Sequence, residues 1–136
     1  MTRSEPEPRL DSDALAMVAT WQRAAGPREV CGLCAVDAQG VQHVLPLTNH
    51  AGLAGEFEVC RSEEEVVRAA AAQRGWTIVA FLHTHPQDEP EMSPRDASTF
   101  ERDKLPWIIV GTPTVVPRQR GYSRPAGSPR AERPCP

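Results

Sequence analysis

No apolar run in these 136 residues approaches the roughly 20 that a bilayer-spanning helix needs. The opening Met-Thr-Arg-Ser-Glu-Pro-Glu-Pro is too polar for a secretory signal, so a cytoplasmic protein without membrane partners is expected. An excess of positive charge is missing as well: 15 Lys plus Arg face 18 Asp plus Glu, a net charge of −3. A dedicated nucleic-acid binder would carry a basic domain, and no nucleic-acid partner is expected. The chain has no internal repeat and no Ser or Cys nucleophile with a defined base beside it. It also lacks a second C-x-x-C, which weakens a structural-zinc or redox reading of Cys31-Gly-Leu-Cys34. The surrounding Val30–Val36 reads as a buried strand, in which residues three apart point to opposite faces. Cys31 and Cys34 are therefore expected as small core residues, and Cys135 as a free thiol. Lysine is reduced to Lys104 against 14 Arg, which has the look of codon bias.

What charge there is lies unevenly. From Pro117 onward five Arg (118, 120, 124, 130 and 133) stand against Glu132 alone, leaving −7 on residues 1–116. The same stretch holds five of the 14 prolines. Three parts are expected: a flexible N-terminus at 1–9, one folded domain at 10–116, and a disordered Pro/Arg-rich tail at 117–136.

Within the domain, residues 11–25 pattern as a helix capped by Asp11 or Ser12, with Ala14, Val18, Trp21 and Ala25 on one stripe and Gly26-Pro27 at its end. Strands follow at about 30–36 and 41–47, joined by the Asp37–Gly40 turn into a hairpin. A short strand is expected near 57–60, then an Ala-rich helix opened by a capping box at Ser62–Glu65 and closed by Gly75. Trp76–His85 is apolar on both faces, as a central strand would be, with Ile78, Ala80 and Leu82 facing one way and Val79, Phe81, His83 and His85 the other. A short helix at 94–104 and a strand at 107–110 complete the series. Helices mixed with strands in this order give an α/β (α+β) domain, a mixed sheet flanked by helices.

The chemistry concentrates in Phe81-Leu-His-Thr-His-Pro86 and the Ser93-Pro-Arg-Asp96 that follows. Residues i and i+2 of a strand share a face, so His83 and His85 present both imidazoles to one point, and Pro86 ends the strand there. Asp96, 11 residues on, can return a carboxylate from the first turn of the next helix. Two nitrogens and one oxygen suit catalytic zinc, with the fourth position left for an activated water. Hydrolysis also needs a proton carrier that is not a ligand, for which Glu29, at a strand end, is the candidate. Ser93 is placed to donate to a developing oxyanion. Plainer readings exist for each group: helix capping for Ser93 and Asp96, hydrogen-bonded core residues for the histidines, surface charge for Glu29. Together they require three coincidences. Asp88, Glu89 and Glu91 read as a solvated acidic loop that could fence a cationic substrate, and His43 and His50 have no partner at ligand spacing.

Glu29, the H-x-H-P at 83–86 lying 54 residues later, six further residues and the S-x-x-D at 93–96 together resemble the JAMM motif of the JAB/MPN metalloprotease family. The flanking Pro27-Arg-Glu-Val-Cys-Gly32 and Leu105-Pro-Trp-Ile-Ile-Val110 are similar to small prokaryotic members, the second stretch to JAB domains of phage tail assembly proteins. The likeness spans about residues 10–112. It implies a cytidine deaminase-like fold and one zinc per chain held by His83, His85 and Asp96, with Glu29 as general acid/base and Ser93 as oxyanion donor. It implies hydrolysis of an amide or isopeptide bond, in deubiquitinase-like fashion, with a peptide or ubiquitin-like protein as substrate. The alternative is a non-catalytic MPN scaffold or a protein of the phage-tail-assembly type. Family members commonly continue into further strands and a helix. Here only Thr114–Val116 and Arg120–Tyr122 remain for pairing, so the sheet is expected to be short, or completed by a second copy in a homodimer.

Overall fold

A strand with apolar side chains on both faces needs a packed layer on each side of it, and the fold is built to provide two. The structure, a computed structural model, describes residues 7–124. In chain order its elements are α1 (Ser12–Ala25), β1 (Cys31–Val36), β2 (Gln42–Leu47), α2 (Arg61–Gln73), β3 (Thr77–Thr84), α3 (Pro94–Arg102), β4 (Trp107–Val110) and β5 (Gln119–Tyr122). The sheet runs β2-β1-β3-β4-β5 with β3 at its centre. β3 and β4 are parallel, with α3 in the crossover between them, and the other neighbours are antiparallel.

One face of the sheet packs on α1. Leu10, Ala14, Leu15 and Val18 meet Cys34, Ala80, Leu82, Ile108 and Val110 there. Asp11 caps the helix by accepting from the Ala14 amide, and Gly26 ends it at a φ of 65°. The expected stripe holds, with Trp21 half-buried against the same cluster, and it widens to the buried Gln22, whose Nε2 donates to the Gly111 carbonyl at 2.8 Å. The opposite face collects Cys31, Leu33, Leu47, Val59, Phe81 and Trp107, against which Val67 of α2 and Phe100 of α3 pack. Glutamines from both edge strands hold the segment before α1. Gln119 makes two hydrogen bonds with the Leu10 backbone, and Gln42 accepts from the Asp11 amide and donates to the Arg9 carbonyl.

Four expectations are corrected. Ile78 and Val79 exchange faces, since the β1–β3 register slips between Cys34↔Ala80 and Ala35↔Ile78. The bulge at Val79 sends Ile78 to the Phe81 side and Val79 to the α1 side. Residues 57–60 form no strand; they run without regular structure. The N-cap of α2 is Cys60 and not Ser62, and Glu63 reaches back to the Thr48 amide and hydroxyl at 2.7 Å each. Residues 119–122, counted with the tail, form the fifth strand: Arg120–Tyr122, left for pairing in the sequence, do pair with β4 and are joined by Gln119. Residues 1–6 and 125–136, including Cys135, lie outside the described residues. Among the described residues no helix is long and apolar enough to cross a membrane.

Gly32 shows how closely β2 and β1 approach: a Cβ there would stand 2.4 Å from the Leu45 carbonyl oxygen. Gly32→Ala is expected to destabilise the fold by about 2 kcal/mol or more. Gly52→Ala, whose Cβ would meet nothing within 4 Å, should be near neutral. Urea unfolding of the two variants checks the contrast.

Candidate metal centre

The site follows from strand register. Cys31 of β1 pairs with His83 of β3. One step on, the Thr84 amide donates to the Val30 carbonyl at 3.0 Å and the Val30 amide to Thr84 Oγ1 at 2.9 Å. A further step sets Glu29 opposite His85, and alternation along both strands keeps Glu29, Cys31, His83 and His85 on one face. Ligand atoms of Glu29, His83 and His85 all lie within 4.8 Å of one another, and all three residues are buried.

Asp96 joins them from α3. Ser93 Oγ accepts from the Asp96 amide and the Ser93 amide donates to Asp96 Oδ2, each at 3.0 Å, a complete capping box. The same carboxylate lies 3.3 Å from His83 Nε2 through Oδ1 and 2.9 Å from His85 Nε2 through Oδ2. Capping and convergence on the histidines are thus one arrangement. Ser93 spends a lone pair on the cap and keeps its hydroxyl proton to donate. The His83 ring is walled by Phe57 at 4.5 Å and by Trp107 at 5.1 Å, edge on.

The electrostatics suit a cation. Burial raises the Glu29 carboxyl to about 7; the His85 charge opposes this, while Asp96, Asp88 and Glu56 add to it. For Asp96 burial is outweighed by the bonds from His83 and His85, which hold its carboxyl well below the usual range. His85 shows the complementary behaviour: burial lowers it, but its bonds to Asp96 and to the Glu89 carbonyl raise it overall. The Glu89 carbonyl, 3.0 Å from His85 Nδ1, can only accept, so Nδ1 carries the proton and Nε2 points to the site. Glu29 Oε1 is buried without a hydrogen-bond partner. Two ligands of tetrahedral zinc, each about 2.0 Å from the ion, stand roughly 3.3 Å apart. The His–Asp separations of 2.9 and 3.3 Å approach that spacing, and the donor set of imidazole and carboxylate fits zinc.

Three contributors escape a reading of the sequence. Asn49 sits in the loop after β2, and its amide makes its full set of four bonds: Nδ2 donates to the Glu29 and Glu56 carbonyls, and Oδ1 accepts from the Ala51 and Glu58 amides. It thereby fixes the backbone that carries Glu29. Phe57 and Tyr122 are the others, the first against His83, the second bonded to the loop after His85. A lone Asn between strands signals only a turn.

The remaining candidates settle elsewhere. Cys31 and Cys34, neither of them in a disulfide, are buried on opposite faces of the sheet, which removes a shared metal or redox role for them. Burial, helped by Asp11, pushes the Cys34 thiol up to about 11. His43 bonds Asp37 at 3.0 Å and stacks on Trp76 with 3.8 Å between ring centres. In the acidic loop Glu89 pairs with Arg118 at 2.6 Å and Glu91 with Arg120 at 2.5 Å, so their charge is largely answered.

In the metal-free protein Glu29 binds its proton more tightly folded than unfolded. The stability this gives is present below pH 4.5 and lost as pH rises through about 7. Relative to Glu29→Gln, the wild-type chain is expected to lose on the order of 2 kcal/mol between pH 4.5 and 8. Urea titrations in the presence of a chelator measure the difference.

Comparison with known proteins accords with this geometry. The family model of prokaryotic homologs of the JAB domain matches residues 11–122. The tail tip assembly protein K of Escherichia phage N15 is 32% identical over 97 residues, 68% of this chain and 38% of that protein. The chain thus spans well under half the length of this relative. Among solved structures, a protein of Desulfitobacterium hafniense superposes with a TM-score of 0.70 at 21% identity, covering 89% of this chain and 87% of that one. A JAB1/MPN domain protein from Archaeoglobus fulgidus gives 0.52 at 16% identity, covering 89% and 92%. At these identities the structures speak for the fold alone.

Proposed function

The chain belongs to the prokaryotic homologues of the JAB domain, and from that premise we propose that it is a zinc-dependent metallopeptidase cleaving an amide or isopeptide bond at the C-terminal tail of a ubiquitin-like protein. The observation that carries this reading is the buried meeting of Glu29, His83 and His85 within 4.8 Å, with Asp96 against both imidazoles. His83, His85 and Asp96 would hold one zinc per chain. When bound, zinc supplies Lewis acidity, which polarises a carbonyl and makes water a better nucleophile near neutral pH.

The protein's own groups do the rest. Glu29, buried beside the histidines and raised to about 7 in the metal-free protein, is the group positioned to carry the proton. It takes one from the attacking water and returns it to the departing amine nitrogen. Ser93 donates its hydroxyl proton to the substrate oxygen as negative charge grows there. Asp96 keeps the bond it accepts from the Ser93 amide, which favours its ionised form and aims the carboxylate at the histidines. The Glu89 carbonyl holds His85 in one tautomer during turnover.

A second reading is favoured by the tail tip assembly protein: a role in assembly, by binding and without turnover. Incubating zinc-loaded protein with ubiquitin-like fusions and with cell lysate, and reading new termini by mass spectrometry, separates the two. Cleavage is expected, with Glu29→Ala losing about 100-fold or more in turnover while keeping its zinc. His85→Ala should lose the metal and the activity together. Full turnover by Glu29→Ala would remove that residue from the mechanism, and absence of new termini with wild-type protein would leave the assembly role.

A further inference from the structure

Building on the metal-centre reading, we propose that Tyr122 of β5 is a positioning residue for the metal ligands, acting through the loop at 86–93. Its hydroxyl donates to the Pro90 carbonyl at 3.1 Å and accepts from the Met92 amide at 3.2 Å, bridging the chain across Glu91. Each end of that bridge adjoins an anchor of the site. Just before Pro90, the Glu89 carbonyl takes the His85 Nδ1 proton at 3.0 Å. Just after Met92, the Ser93 amide donates to Asp96 Oδ2 at 3.0 Å. One hydroxyl therefore sets the spacing between the groups that orient two of the three ligands.

The rest of the loop is seated on the same part of the sheet. The Thr112 amide donates to the Asp88 carbonyl at 3.2 Å, and a Cβ at Gly111 would stand 3.0 Å from that same oxygen. The pairs Glu89–Arg118 and Glu91–Arg120 lie along β5 as well, but their side chains are exposed, and such pairs hold a loop weakly. The half-buried Tyr122 ring stacks edge on against Phe100 with 6.1 Å between centres, a contact phenylalanine would make equally well. The hydroxyl, by contrast, finds both of its partners in the loop, which is why its role belongs to the ligands and not to the core. β5 thus becomes part of the metal centre although it contributes no ligand.

The test is Tyr122→Phe, compared with wild type by zinc competition against a chelator and by the visible spectrum of the cobalt(II) form. Zinc affinity is expected to fall about tenfold. The cobalt bands should change shape, while the metal-free melting temperature stays close to that of wild type. Coupling is reciprocal, so zinc loading of the wild-type protein should also slow hydrogen exchange at the Met92 amide. A folded Tyr122→Phe protein with undiminished zinc affinity and unaltered cobalt bands overturns the assignment. So does Met92 exchange that zinc leaves unchanged, a measurement that does not depend on the variant folding. Wild-type protein that takes up neither ion overturns the metal-centre reading itself, and this inference with it.

Discussion

The pairing of Cys31 with His83 decides the rest of this molecule. A shift of one residue between β1 and β3 would turn Glu29 to the α1 side of the sheet and leave the histidines without it. The register is held where it is by what lies on each face: Leu33 with Phe81 on one side, Cys34 with Ala80 on the other, all fully buried. Hydrophobic packing thus sets the distance between polar groups that would otherwise avoid one another. Gathering two carboxyls and two imidazoles out of water is costly, and the apolar layers around β3 offset that cost.

Asp96 shows a second economy of the design. Its carboxylate closes the first turn of α3, accepts from Ser93 and contacts both imidazoles. Helix geometry aims the group, so no separate scaffold is needed for it. The same logic governs Glu29, whose main chain is fixed from a distant loop by the fully bonded amide of Asn49. Rigid backbone on both sides of the cluster is what keeps short polar side chains in register with one another.

Much of this was legible in the residues alone. Period-two alternation in Phe81–His85 placed both imidazoles together, and Ser93-Pro-Arg-Asp96 announced a helix start whose acid could turn inward. Glu29 was recognisable by its place ahead of a strand and by the likeness to a known motif. Other features were not legible, for physical reasons. β5 is Gln-Arg-Gly-Tyr; Arg120–Tyr122 could be named as residues left for pairing, but with one sizeable apolar side chain the strand takes its partner and register from β4 and not from its own pattern. The bulge at Val79 inserts a residue into an otherwise regular alternation, and alternation alone carries no sign of it. Asn49 and Tyr122 act through backbone groups, those of Glu29 for the first and of Pro90 and Met92 for the second, and bonds to backbone have no signature in side-chain order. The arginines at 118 and 120 looked like solvated tail charge, whereas their partners sit nearly 30 residues earlier.

The glutamine clamps on the segment before α1 carry one more implication. Leu10 is bonded to Gln119 across 109 positions of sequence, and Pro8 lies directly over Gly121. Residues 8–10 and 119–121, near the two ends of the described chain, therefore lie side by side. A unit with adjoining entry and exit can be spliced into a larger polypeptide as a cassette, without prising its layers apart. In the phage relative the matched stretch is likewise only a part, 38%, of the protein.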